Sequence, residues 1–266
     1  MTSNKSGSLL HRLPSDKFVF SLLIASCIGI SSLSCEAAPA AKTSNSGSAI
    51  AKLKVDLDTT GIAKTTKVEI VPKDPYSKQE EVIDLNGAPT HVRILFDGKQ
   101  LKYGDNSFNE PHLLIYPMAD YVALFPKERQ IAFNKRIATL KKIIANKSVK
   151  GVKEIPVLPE SDGYEFCHDQ EKYLAFNQGA GTGVSYVTVY GNGDPPVNES
   201  DFFYSFQGLT ADGKYYVAFY WPVKATGMPK DLPLAKSQKY LETLPRGKYQ
   251  PSLDVLDKVV SSITIK

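Results

Sequence analysis

The chain has 266 residues, a formal net charge of +4 and a hydrophobic content of 42%. These values are close to those of an ordinary globular domain, so they exclude a collagen-like, coiled-coil or wholly disordered chain. No apolar run reaches the roughly 18 residues that a membrane-spanning helix needs, and the length suits one or two domains.

The first forty residues are typical of an export signal. His11, Arg12 and Lys17 give a positively charged start, and an apolar or small-residue stretch follows over residues 18–33. A secretory signal has these proportions and is removed from the mature protein. We therefore predict an export signal over residues 1–40. The mature protein is expected to be periplasmic, on the cell surface or tethered to the outer side of a membrane, with no spanning segment.

Three cleavage sites are compatible with this signal. Cleavage after Ala40 follows a small-residue Ala-Pro-Ala motif and is slightly favoured. The sequence Ile-Ala-Ser-Cys ending at Cys27 resembles a bacterial lipobox, which makes Cys27 a lipidation candidate, and the sequence ending at Cys35 resembles it less well. Cys167 is left alone if cleavage follows Ala40. If Cys27 carries the lipid, Cys35 and Cys167 are both available to form a disulfide.

A flexible linker and then one folded domain are predicted for the mature chain. Residues 41–50 are rich in Ser, Asn and Gly, a composition that behaves as a flexible tether. The domain is expected to cover residues 51–266. Strand-like patterns in it occur at residues 91–96, 99–103, 113–116, 186–190, 202–206, 214–221 and 263–265.

Two of these strand patterns carry more specific predictions. Asp97 and Gly98 separate two strand-like runs, and an Asp-Gly pair in that position predicts a β-hairpin between residues 91–96 and 99–103. In the run 214–221 both alternating faces are apolar or aromatic. Such a strand is expected in the centre of a sheet, with both faces covered.

Three helices are predicted among the strands. Residues 127–146 carry an apolar stripe at helical spacing directly after Pro126, residues 252–261 carry a second stripe, and a shorter helix is expected at 236–244. The order of elements indicates the α+β class, with helices packed on a mostly antiparallel sheet, and an α/β/α sandwich is one arrangement of that kind.

The stretch 204–217, YSFQGLTADGKYYV, resembles a segment that recurs in an uncharacterised family of exported bacterial proteins, many of them with lipoprotein-type signals. The segments 115–121, 173–176 and 256–263 fit the same pattern, so the resemblance covers about residues 90–266. It implies export and carries no catalytic residues. The order of elements is also similar to that of the PsbP-like proteins of oxygen evolution, which form an α/β/α sandwich.

The sequence predicts no catalytic or metal site. Cys167 and His168 are adjacent in a strand and point to opposite faces, so they do not pair as nucleophile and base. Cys167 is instead expected to be buried and inert. Past the signal there are three histidines and no Cys-x-x-Cys motif, too few ligands for a structural zinc site. No cofactor is expected.

Glycines at 179, 181 and 183 lead into a strand-like run rather than a helix. A phosphate loop needs a helix N-terminus, so a hairpin turn is the favoured interpretation of this segment.

Positive charge is concentrated in the predicted helix at 127–146 and the residues just after it. Residues 127–153 contain nine basic residues and one acidic residue. A basic helix can bind an anionic membrane or polymer, although such charges often serve only as a solvated outer face. The candidate contact residues are Lys135, Arg136, Lys141 and Lys142.

Aromatic residues are also clustered in the sequence, and eight of the fourteen tyrosines lie between positions 164 and 220. They suit a sheet core, which we favour, and also a recognition cleft.

Taken together, these patterns predict a non-enzymatic binding or assembly module of the bacterial envelope. Its partner is expected to be anionic lipid or an envelope polymer and not nucleic acid. The alternative is an envelope hydrolase whose catalytic carboxylates the spacing does not identify.

Overall fold

The computed structural model describes residues 50–79, 83–193 and 195–266. The predicted export signal, the lipidation candidate Cys27, Cys35 and residues 41–49 of the predicted linker lie outside these residues. Within them, no helix combines the length and the apolar character that crossing a membrane requires.

One large antiparallel sheet organises the domain. Its strands in the described residues are β2 (Thr66–Val71), β3 (His91–Phe96), β4 (His112–Pro117), β5 (Tyr164–Phe176), β6 (Gly181–Gly191), β7 (Phe202–Thr210), β8 (Tyr215–Ala225) and β9 (Tyr249–Gln250). The order across the sheet is β2-β3-β4-β8-β7-β6-β5, and β9 pairs with the end of β8. The short strands β1 (Val55–Asp56) and β10 (Thr264–Ile265) pair with each other separately.

Helices cover both faces of this sheet. They are α1 (Met118–Leu124), α2 (Lys127–Asn146), α3 (Leu234–Thr243) and α4 (Leu253–Ser262). Apolar side chains of α1 and α2 join one buried cluster with the sheet, and those of α3 and α4 join a second cluster. We call the two sides of the sheet the α2 face and the α4 face. The α+β class is confirmed, and the layers are arranged helix, sheet, helix.

Strand β8 lies in the centre of the sheet, between β4 and β7. Its residues Val217 and Phe219 are buried on the α4 face, and Tyr216 and Tyr220 are buried on the α2 face. The two-sided apolar pattern therefore predicted the position of this strand correctly, because a strand between two helical layers needs apolar residues on both sides.

The Asp97-Gly98 turn forms, but the predicted hairpin does not. Both residues have positive φ, 48° and 68°, as a tight turn requires. Residues 99–103 then form no strand. The Asp97 carboxylate instead accepts hydrogen bonds from the backbone N–H of Lys64 and Thr65, at 2.8 and 2.9 Å. These bonds hold the turn to the start of β2, which takes the edge position beside β3.

An ion-pair network centred on a buried carboxylate attaches α4 to the sheet. The Asp257 side chain is 5% exposed and receives Lys172 Nζ at 2.9 Å. The hydroxyls of Tyr204 and Ser185 donate to the same carboxylate, at 2.9 and 3.3 Å, and Arg246 completes the shell. Since every oxygen is satisfied, this buried carboxylate fixes the helix against β5–β7.

Candidate functional site

Three of the four predicted anion-binding residues lie exposed on α2. Lys135 and Lys142 are seven residues apart, so they share the side of the helix that faces away from the sheet. Lys141 is also exposed, on a flank beside the turn between β7 and β8. None of the three forms an ion pair with a residue in the described ranges. Lys127, in the first turn of α2, is exposed in the same way.

The fourth residue, Arg136, has a structural role. Its guanidinium pairs with Glu160 at 2.9 Å and Glu154 at 3.1 Å, and it also donates to the backbone carbonyl of Val157 at 3.2 Å. The side chain is mostly buried. Arg136 therefore holds the segment after α2 against the helix, and its charge is neutralised by two carboxylates.

A cleft with a volume of about 320 Å³ opens at one end of the sheet. Three segments that are distant in sequence form its walls: residues 102–110 of the β3–β4 connection, residues 161–163, and residues 189–192 at the end of β6. Loops at the end of a rigid sheet are a common location for binding sites, because the sheet positions them.

Aromatic rings form the base of this cleft. The rings of Phe108 and Phe203 are stacked, with centroids 5.9 Å apart and planes 15° apart, and Tyr190 stacks on Phe203 at 6.0 Å and 25°. The Tyr190 hydroxyl is buried and has no hydrogen-bond partner within the described part of the chain. Burial raises the pKa of this hydroxyl well above its ordinary value, so the group remains a neutral donor.

The rim of the cleft is polar apart from one aromatic ring. Tyr103 is 76% exposed, although a tyrosine ring usually packs over most of its surface. The polar side chains of the rim are those of Lys102, Asn106, Asn109, Glu110, Asp162 and Asn192. Amides, carboxylates and one ammonium group thus surround the aromatic rings at the bottom of the cleft.

One buried carboxylate holds the wall that carries Tyr103. Asp105 lies in the short 3-10 turn Gly104–Asn106 and receives His91 Nε2 at 2.8 Å, the Tyr116 hydroxyl at 3.1 Å and Arg93 Nη1 at 3.3 Å. Burial by itself raises the pKa of Asp105, but the hydrogen bond from His91 and the charges of His91 and Arg93 outweigh it, so the pKa lies below its ordinary value. The carboxylate is therefore ionised and anchors the turn to β3 and β4.

His91 ties the Asp105 turn to the core through both ring nitrogens. Its Nδ1 lies 2.7 Å from the carbonyl oxygen of Pro89, and its Nε2 lies 2.8 Å from the Asp105 carboxylate. The ring is fully buried, so neither nitrogen faces the cleft, and His91 supports the wall of the cleft from behind.

Two buried carboxyls with raised pKa lie on opposite faces of β5. Burial raises the pKa of Glu165, which accepts a hydrogen bond from the backbone N–H of Ile155 on the α2 face. Burial, with the charges of Glu171 and Glu242, raises the pKa of Asp169 to about 7, and Asp169 pairs in register with Val187 on the α4 face. The two carboxyls therefore do not form the convergent pair that a carboxylate-dependent hydrolase needs.

Cys167 and His168 are separated as the sequence predicts. Cys167 is buried on the α4 face, and burial raises the pKa of its thiol well above the ordinary value, which keeps it protonated and unreactive. His168 instead contacts Glu165, with Nδ1 at 3.3 Å from Oε2. Among the described residues, no group of His, Cys, Asp and Glu is arranged to hold a metal ion.

The sequence alone did not identify the cleft or its anchor. In the sequence, His91 is one of three histidines with no assigned role, and Tyr103 and Asp105 belong to no motif. One local signal was present, since an aromatic residue directly before Gly104, Asp105 and Asn106 is unusual in a turn composed of small polar residues. This turn becomes part of a cleft only because the fold places residues 161–163 and 189–192 beside it.

Comparisons with known proteins provide no further assignment. A scan against protein-family models, a search of curated proteins and a search of solved structures each gave no match.

Proposed function

We propose that this protein is a non-enzymatic binding module of the bacterial envelope that associates with an anionic lipid surface through α2. The observation that supports this proposal is the exposed surface of α2, where four lysines on the outer side and one flank form no ion pair with any residue in the described ranges. We call Lys127, Lys135, Lys141 and Lys142 the α2 basic surface. The two arginines of the same helix differ, because Arg129 and Arg136 are paired with carboxylates.

An exposed isoleucine favours lipid over a soluble polyanion. Ile131 is 72% exposed and lies four residues from both Lys127 and Lys135 on α2. Residues at that spacing are neighbours on a helix surface. A lysine-flanked apolar side chain fits the boundary between head groups and acyl chains, whereas a hydrophilic polymer provides no favourable environment for it.

The strength of this association is moderate. A lysine close to an anionic membrane contributes about 1 kcal/mol, so three or four lysines supply about 3 kcal/mol. Stable membrane attachment generally takes two signals, such as one lipid modification and a basic patch. Lipidation of Cys27 and the α2 basic surface together meet that requirement, which is why we retain the lipobox at Cys27 as part of the proposal.

Co-sedimentation of the mature protein with vesicles tests the proposal. The vesicles contain phosphatidylcholine alone or with 30% phosphatidylglycerol, and the measurement is repeated at low and high salt. Changing the four lysines of the α2 basic surface to Gln should weaken binding to the anionic vesicles by roughly 100-fold, following from about 3 kcal/mol of lost attraction. High salt should reduce binding of the unaltered protein.

A matched variant controls for net charge. Lys99, Lys236, Lys239 and Lys258 are also exposed and also form no ion pair within the described residues, and they lie outside α2. Changing these four to Gln removes the same charge and should leave most of the binding intact. Equal losses for the two variants would show that only net charge matters and would reject the α2 basic surface as the contact.

A further inference from the structure

We propose that the cleft at the end of the sheet binds a saccharide, and that this site acts independently of the α2 basic surface. None of the residues that line the cleft belongs to α2. The proposal rests on three observations: an exposed aromatic residue on an anchored wall, a base of stacked aromatic rings, and a rim made of amides and carboxylates.

The backbone that carries the Tyr103 ring is anchored at the rim of the cleft. Its N–H donates to Ser107 Oγ at 2.7 Å, and Gly104 follows with a φ of +57°, which favours glycine. Asp105 then ties the turn to His91 and Arg93. An anchored backbone reduces the entropic cost of binding, because the turn does not have to be ordered by the ligand. The exposed ring can stack on the apolar face of a sugar ring.

The base of the cleft offers an apolar surface. The Tyr190 ring lines the cleft and is stacked on Phe203, and Phe108 is also stacked on Phe203. The Tyr190 hydroxyl itself is buried away from the cleft. A sugar ring that enters the cleft can therefore place an apolar face against these rings.

The chemistry of the rim selects the class of ligand. Asn106, Asn109 and Asn192 supply both donors and acceptors, and Glu110 and Asp162 supply acceptors. A ligand hydroxyl group can hydrogen-bond to both donors and acceptors, so the side chains of the rim suit a polyhydroxylated molecule.

The charge of the rim and the volume of the cleft narrow the class of ligand further. Two carboxylates face a single cation, Lys102, which disfavours a phosphorylated or sulfated ligand. A volume of about 320 Å³ lies at the lower end of ligand pockets, and it corresponds to about one or two sugar rings. The ligand is therefore a neutral or amino saccharide unit.

Titration calorimetry with chitotetraose and maltotetraose tests the proposal on the mature protein. We expect saturable binding of at least one of these two probes with a Kd of about 1 mM or tighter. Tyr103→Ala should weaken that binding about tenfold through loss of the stacked ring.

Tyr164→Ala is the matched control. Tyr164 is 72% exposed, close to the 76% of Tyr103, and it does not line the cleft. This variant should bind the probe as the unaltered protein does. The proposal is overturned if neither probe binds at millimolar concentration. It is also overturned if Tyr103→Ala binds as well as Tyr164→Ala does. The vesicle experiment does not involve these residues, so the two proposals can fail separately.

Discussion

Asp169→Asn should stabilise the protein above neutral pH and have little effect in acid. The Asp169 carboxyl is 5% exposed and has one oxygen without a partner in the described residues. Its pKa is raised from 3.8 to about 7, first by burial and then by the negative charges of Glu171 and Glu242. Folding therefore favours the protonated carboxyl, and the group opposes folding once the solution pH requires it to ionise.

The magnitude follows from linkage. Between pH 3.8 and 7 the unfolded chain has lost this proton while the folded chain keeps it, so stability falls as the pH rises through that window. At about 1.4 kcal/mol for each unit of pKa, the full penalty above pH 7 is about 4 kcal/mol. We halve this to about 2 kcal/mol because local relaxation and water penetration reduce the penalty of ionising a buried group in real proteins. The amide of the variant would stay neutral and avoid the penalty.

Urea unfolding of the unaltered protein and the Asp169→Asn variant at pH 4 and pH 8 measures this difference. The stability advantage of the variant should grow by about 2 kcal/mol between the two pH values. Asp162→Asn alters an exposed carboxyl and should show no such growth. Glu171→Gln removes the strongest neighbouring charge, so it should lower the pKa of Asp169 and recover part of the stability lost at pH 8, less than Asp169→Asn recovers. If the Asp169→Asn advantage is the same at both pH values, the carboxyl is not held protonated and the reasoning is wrong.

Three further variants test the packing around the site and the α4 anchor. Asp257→Ala leaves the buried hydroxyls of Tyr204 and Ser185 without their acceptor and should lower the free energy of unfolding by about 2 kcal/mol in urea titrations; a loss below about 1 kcal/mol would contradict its anchoring role. Gly183→Ala places a methyl group inside van der Waals distance of the Phe206 ring and should cost about 2 kcal/mol. Its control, Gly247→Ala, meets nothing within 4 Å and should be close to neutral in the same titrations, so equal losses for the two would rule out the clash as the cause. Asp105→Asn removes a carboxylate whose pKa is lowered on folding, so the stability it contributes is present above pH 3.8 and lost as the pH falls below its folded pKa. The variant should be less stable by about 2 kcal/mol at pH 7, and the difference should shrink as the pH falls below 3.8. A difference that stays constant in acid would show that ionisation of the carboxylate is not the cause.

Regular elements with strong periodicity could be predicted from the sequence. The helix predicted at 127–146 has those bounds in the structure, because its apolar stripe and the preceding Pro126 are local features. The helices expected at 236–244 and 252–261 form at Leu234–Thr243 and Leu253–Ser262. The Gly-rich segment joins β5 and β6 as a hairpin, as predicted. Only Gly179 lies in the turn, because β6 already begins at Gly181.

Elements that depend on distant partners could not be predicted in the same way. The Asp97-Gly98 pair determined a turn, but contacts with residues 64 and 65 and with β2 determined what the turn connects. The short helix α1 was also missed. Its seven residues are too few to show a helical period, and packing against the sheet stabilises it.

Composition and local pattern thus determined the α+β class, the central position of β8 and the basic character of α2. Tertiary structure alone decided which of those basic residues are free, because Arg136 meets carboxylates 18 and 24 residues further along the chain, whereas Lys135 next to it meets none in the described ranges. It also created the cleft, whose walls come from residues 102–110, 161–163 and 189–192. No local pattern encodes that proximity, since it arises only when the antiparallel strands place their connecting loops at the same end of one sheet.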